Sequence, residues 1–167
     1  ALSALSQARF LAQSGAMKQA SLSTPFGDLT LTEEDGAITA LGWGQAARQD
    51  RSDLLVAALR QLKEYATGER QSFDLPLRVM GSDFQRAVCT AILAIPFGHT
   101  RTYGEIARDL GVPAQAVGGA CGGNPIPVII PCHRVMGAKG LTGFSGAGGV
   151  ETKVALLRHE GAAGLLI

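Results

Sequence analysis

The residues best suited to chemistry lie in one short run, "NPIPVIIPCHRV", from Asn124 to Val135. It sets Cys132 directly before His133, and a histidine is a common activator of a nucleophilic thiol. The run leads in with Val128, Ile129, Ile130 and Pro131, which read as a buried strand, and there a lone thiol is ordinarily inert packing. Metal binding is the third use to weigh. The three cysteines (89, 121 and 132) form no CxxC pair and the three histidines (99, 133 and 159) are scattered, so no metal is expected. No cofactor is expected either. Cys89 falls in an amphipathic helix and Cys121 in a glycine-rich one, and both read as packing thiols. "GWGQAA" at 42–47 matches a loose GxGxxA dinucleotide pattern, but no parallel βαβ unit follows, and it reads as a strand end.

The elements that must position this run fall into two groups. Residues 1–16, rich in Ala, Ser and Gln, read as a tag ahead of Met17 or as an N-terminal extension with a short helix on Leu2, Leu5 and Phe10. From 20 to 44, β-type runs alternate with turns, and Asp35-Gly36 is a hairpin signal, so a small antiparallel sheet is expected. Residues 51–66 follow as an amphipathic helix with Leu55, Leu59 and Leu62 on one face and Gly68 as its stop. "SFDLPL" connects this lobe, residues 17–80, to a second domain over 81–167.

There a helix starts near Ser82 and presents Phe84, Val88 and Ile92 before Pro96 breaks it. Thr102 and Glu105 form a capping box that opens a short helix at Tyr103, closed at Gly111. Pro113 suits the first position of the next helix, "AQAVGGACGG". Helix, glycine-containing turn, helix is the helix-turn-helix outline. The second of these helices is nearly bare, and each interior glycine costs about 0.5–1 kcal/mol relative to alanine. Something large should approach its backbone, either a neighbouring helix or a nucleic acid. A glycine-rich loop (Gly137 to Gly149) precedes a last helix with Val150, Val154 and Leu157 on one stripe, ending at Gly161. The expected fold is α+β: a small N-terminal antiparallel sheet with a helix, then a mainly helical domain carrying the helix-turn-helix and the cysteine site.

Composition bounds the function. A chain of 167 residues with 46% hydrophobic and 17% charged content fits a globular protein. No apolar run is long enough to span a bilayer, so no membrane partner is expected. An odd cysteine count in no disulfide-like spacing points to a reducing cytoplasm. Net charge is +1, far from the strongly basic face of a typical nucleic-acid binder. A DNA partner would have to be held by shape and a few contacts.

"TYGEIA", "AVGGACGGNPIPVIIPCHRV", "GFSG" and "LLRHEG", in this order and spacing, resemble the O6-alkylguanine-DNA alkyltransferases over roughly residues 82–161. The resemblance implies a suicide enzyme for DNA repair that acts as a monomer on alkylated duplex DNA. Its helix-turn-helix docks in the minor groove and turns the damaged guanine out of the stack. A cysteine thiolate then takes the alkyl group from O6 of guanine, or from O4 of an alkylated thymine, and keeps it. Cys132 would be the acceptor, His133 its base through a bridging water, and Glu160 the group that orients the histidine. Asn124 would hold the turn before the active strand. Tyr103, Phe144, Ser145 and Val135 would line the substrate pocket. Ala114, Gln115, Gly118 and Gly119 of the second helix would face DNA, with Arg101 and Arg108 adding positive charge. Neighbouring residues of a strand face opposite sides, so Pro131 should mark a bend if Cys132 and His133 are to cooperate. That pairing should keep Cys132 partly ionised near neutral pH.

The chain departs from the family pattern where an arginine normally precedes "AVGG" and fills the gap left by the flipped base. Gln115 stands there and brings neither the charge nor the planar fork of arginine. The stretch from Pro113 to "AVGG" is also short, which suggests a later start for the recognition helix. Two other functions compete with repair: a binder of alkylated guanine that performs no transfer, and an alkyl acceptor for non-duplex substrates. The non-repairing relatives carry tryptophan in place of the cysteine, so Cys132 favours the enzyme.

Overall fold

The computed structural model describes residues 16–138 and 149–162. Three antiparallel strands come first, β1 (Met17–Thr24), β2 (Gly27–Glu34) and β3 (Ala37–Trp43), in the order β1-β2-β3. The β2–β3 turn is Asp35-Gly36, with φ of 48° and 75°, so both residues take the left-handed conformation that a tight hairpin needs. Helix α1 (Asp53–Ala66) begins where the Ser52 hydroxyl accepts from the Leu55 amide. It lays Leu55, Ala58, Leu62 and Tyr65 into the core, while Leu59 is only half-buried.

Strand β3 ties the sheet to the second domain. Ile38 bridges Leu77 in the connector, and the Leu41 amide donates to the Pro125 carbonyl at 2.9 Å. One hydrophobic core therefore runs from Ala20 and Leu31 in the sheet to Ile130, Cys132 and Leu156.

Helix α2 (Asp83–Leu93) is capped by Ser82. Its buried stripe is Val88, Cys89 and Ile92; Phe84, expected on that face, is 36% exposed at the first turn. Strand β4 (Arg101–Thr102) pairs in parallel with β5 (Val135–Met136) and delivers the chain into α3 (Tyr103–Leu110). The Thr102–Glu105 capping box is formed, and Gly111 closes the helix at φ 68°. Helix α4 (Ala114–Gly122) comes next, with Pro113 as its N-cap and not its first helical residue. It starts directly at Ala114, without the later start suggested by the short stretch before "AVGG". The Gln85 side chain fastens it to α2 by donating to the Ala120 carbonyl at 2.7 Å.

Two further expectations are corrected. Residues 128–131 are not a strand: Val128 sits at φ 71°, and the Ile129 and Ile130 amides donate back to Pro127 and Ile126. The β-branched run reads as strand, but two prolines and the Asn124 side chain fold it into successive turns. On α5 (Val150–His159), Val150 is exposed and the buried face is Thr152, Lys153, Leu156 and Leu157. A stripe read from apolar residues alone misses a helix that turns a lysine inward. Among the described residues no helix is long and apolar enough to cross a membrane.

Candidate active site

Asn124 organises the approach to the cysteine. Its Nδ2 donates to the Ile130 carbonyl at 2.9 Å, and its Oδ1 accepts from the Ile126 amide at 3.0 Å. That clamp delivers the chain through Pro131 into a 3-10 turn, Cys132–Arg134. The bend expected at Pro131 is therefore present, and Cys132 and His133 leave it on a tight turn instead of on opposite faces of a strand.

Cys132 is only 4% exposed. Burial pushes its thiol up, and the nearby Asn124 amide and Lys153 charge only partly offset that. The expectation of a partly ionised cysteine at rest is thus overturned, because desolvation outweighs the favourable neighbours. His133 is fully buried. Its Nε2 lies 2.7 Å from Glu160 Oε2, while its Nδ1 has no hydrogen-bond partner among the described residues. Burial pulls the imidazole's pKa down, against the opposing effect of its hydrogen bond to the Glu160 carboxylate. A neutral ring whose Nε2–H donates to a carboxylate must present a lone pair at Nδ1. His133 adjoins the thiol in sequence.

Glu160, at the C-cap of α5, is the hub. Oε2 accepts from His133, from the Tyr65 hydroxyl at 2.6 Å and from Arg134 Nη2 at 2.9 Å; Oε1 accepts from Arg134 Nε at 2.7 Å. Burial alone would raise its pKa, but the bonds from His133 and Arg134 prevail and hold it well below the usual carboxylate range. Gly98, at φ 80°, lets the chain pass this point: a Cβ there would stand 3.2 Å from the Glu160 carbonyl.

Lys153 escaped sequence reading. It is fully buried, donates to the Val135 carbonyl at 2.6 Å, and has Nζ 5.9 Å from the centre of the Tyr103 ring. Burial lowers its pKa, partly countered by the neighbouring Cys132 and Cys121 thiols. Its position three and four residues before Leu156 and Leu157 was the available signal, since that spacing shares one helical face. Cys121 is buried, with a pKa pushed up to about 12 mainly by burial, and burial also raises Cys89.

Tyr103, Gly104, Ala114, Gln115, Gly118, Gly119 and Ala138 line an open cleft of about 760 Å³. A Cβ on Gly118, Gly119 or Gly122 would meet nothing within 4 Å. Among the described residues no neighbouring element explains the bareness of α4 at these positions, whereas Gly123 lies against Gln85. Arg108 is exposed, whereas Arg101 is committed to Asp109 at 2.8 Å and to Glu105 at 3.7 Å. Val135 is buried and meets Lys153 through its carbonyl. Phe144 and Ser145 lie outside the described residues. Among the described residues no group of His, Cys, Asp or Glu could hold a metal ion.

Residues 83–162 match the family described as 6-O-methylguanine DNA methyltransferase, DNA binding domain. Residues 17–79 match the one described as 6-O-methylguanine DNA methyltransferase, ribonuclease-like domain. The methylated-DNA–protein-cysteine methyltransferase of Mycolicibacterium paratuberculosis is 43% identical over 152 residues, covering 82% of this chain and 88% of that protein. The constitutive enzyme of that name from Bacillus subtilis is 39% identical over 151 residues, 82% of this chain and 91% of that one. The crystal structure of Mycobacterium tuberculosis O6-methylguanine methyltransferase superposes with a TM-score of 0.77 at 39% identity, over 89% of this chain and 94% of that one. Mycobacterium tuberculosis OGT in complex with DNA gives 0.78 at 40% identity, over 87% and 94%.

Proposed function

The chain belongs to the 6-O-methylguanine DNA methyltransferase family, and from that premise we propose how its residues do the work. It is a methylated-DNA–protein-cysteine methyltransferase, which repairs DNA by moving the alkyl group of O6-alkylguanine directly and irreversibly onto itself. Cys132 is the acceptor. The observation that carries this assignment is the buried, neutral His133, held by Glu160 at one nitrogen and presenting a lone pair at the other.

Cys132 rests as a thiol. As substrate fills the cleft, the thiol proton passes to His133 Nδ1 through a bridging water, and Glu160 stabilises the imidazolium. Lys153 supplies the positive charge nearest the new thiolate. Sγ attacks the alkyl carbon in line, the S–C bond forms, and the C–O bond breaks with its electron pair remaining on guanine. The thioether product has no carbonyl for water to attack, so each molecule acts once. An alkyl group on O4 of thymine offers the same displacement.

Helices α3 and α4 form the helix-turn-helix that enters the minor groove, with the smooth face of Gly118 and Gly119 against the DNA. Tyr103, Gln115, Phe144 and Ser145 serve the base turned out into the cleft. Base extrusion costs a few kcal/mol, and Gln115 supports it by hydrogen bonding alone. Arg108 is free to meet phosphate. We divide the chain into a lobe over 17–80 and a DNA-binding, alkyl-accepting domain over 81–167, and place it in the cytoplasm as a monomer, in keeping with three free cysteines.

The test is a titration with duplex carrying one O6-methylguanine. Repair should stop at one equivalent of lesion per protein, and Cys132→Ala should bind the duplex yet repair none of it. Continued repair past one equivalent, or repair by the alanine variant, overturns the assignment.

A further inference from the structure

The catalytic carboxylate is reached from the other lobe. Tyr65, in the last turn of α1, is 1% exposed and lies 95 residues from Glu160 in sequence. It is gripped at both ends by the end of α5. Its hydroxyl donates to Glu160 Oε2 at 2.6 Å, and its backbone carbonyl accepts from His159 Nε2 at 2.6 Å. The ring between is fixed by Phe26, Phe73, Phe97 and His159, at centroid distances of 6.1, 5.5, 6.3 and 4.9 Å. Burial and the adjoining carboxylate raise the phenol's pKa, so it remains a protonated donor.

We propose that Tyr65 is a positioning residue for alkyl transfer: its hydroxyl, by donating to Glu160 Oε2, sets how strongly that carboxylate holds the His133 imidazole. In this way the N-terminal lobe tunes the basicity of the nitrogen that takes the Cys132 proton. The inference rests on the reading of His133 as that base.

Among the described residues the groups around His133 are Lys153 from α5 and Glu160 at its C-cap, Arg134 and Cys132 from its own turn, and, through Glu160, Tyr65 from α1. Arg134 and Tyr65 both draw charge away from the carboxylate oxygen that His133 uses. A hydrogen bond to a charged group is worth roughly tenfold or more in an equilibrium. Removing the phenol's share strengthens the pull of Glu160 on the imidazolium, and His133 becomes a stronger base. It is then neutral, and able to accept a proton, only at higher pH.

The experiment uses the full chain and free O6-benzylguanine, which needs no base extrusion, with rates measured across a pH series. Tyr65→Phe keeps the ring and its packing. Its acidic limb should move to higher pH, leaving it about threefold to tenfold slower than the parent at acidic pH. The deficit should close as pH rises. A profile that coincides with the parent's overturns the proposal, and so does uniform slowing at every pH, which marks a packing role only. His133→Ala in the same series separates the two readings. A slow His133→Ala beside a parent-like Tyr65→Phe removes Tyr65 alone; parent-like behaviour of both removes the His133 base as well.

Discussion

Lys153 and Glu160 face the same turn with opposite charges, yet they are built differently. Glu160 is fully satisfied by Tyr65, His133 and Arg134, whereas Lys153 is a fully buried cation that donates to a neutral carbonyl, that of Val135. In the proposed mechanism that charge faces the thiolate formed at Cys132. Lys153 lowers the Cys132 pKa, so Lys153→Met should raise it and shrink the thiolate fraction below the new value. Alkylation of Cys132 by iodoacetamide should then be about tenfold slower near neutral pH, a one-unit shift, and recover toward the parent rate in alkali. The melting temperature should hold or rise, because a buried charge is exchanged for an apolar side chain of similar length. An unchanged rate profile would remove Lys153 from the mechanism. At this scale the Asn124 clamp and the His133–Glu160 pairing were legible, because their motif is distinctive. Lys153 and Tyr65 were not: nothing local says that a lysine points inward, or that a tyrosine in another lobe reaches a carboxylate 95 residues away. The resting state of the thiol was misjudged for a related reason, since burial is a property of the fold and outweighs the charges readable nearby.

Helix α4 gives the sharpest contrast between packing and binding. Its glycines lower helix stability, and among the described residues nothing stands within 4 Å of where a Cβ would go at Gly118, Gly119 or Gly122. Gly119→Ala should therefore stabilise the fold, by about 0.5–1 kcal/mol, in a denaturant titration. Gly119→Leu should fold as well as the parent but transfer from duplex at least tenfold more slowly, because a long side chain stands between helix and DNA. Equal rates on duplex would place DNA elsewhere. The Thr102–Glu105 capping box made α3 legible nearly to the residue, while α1 and α2 were read from their apolar faces; in the structure Ser52, Ser82 and Thr102 each accept the amide three positions on. The 128–131 run was misread because strand propensity is local, while the Asn124 clamp and the left-handed Val128 are set by the turn as a whole.

Across the molecule, the two lobes act as one body around the reactive turn. The sheet edge meets the connector at Ile38–Leu77 and the active-site approach at Leu41–Pro125, and Tyr65 closes the contact at Glu160. The small antiparallel sheet, its helix and the helical second domain could be laid out from the sequence; their mutual docking could not, because it depends on hydrogen bonds between residues far apart in the chain. The near-neutral charge leaves few free cations for phosphate, since Arg101 is paired with Asp109 and Glu105. The central claim is that this architecture exists to make one buried thiol a terminal alkyl acceptor. Its most direct test is peptide mapping by mass spectrometry after incubation with excess duplex bearing O6-methylguanine. The account predicts one methyl group per molecule, located on Cys132, with Cys89 and Cys121 unmodified. A methyl group on either of those cysteines, or none on Cys132 while the lesion disappears, would contradict it.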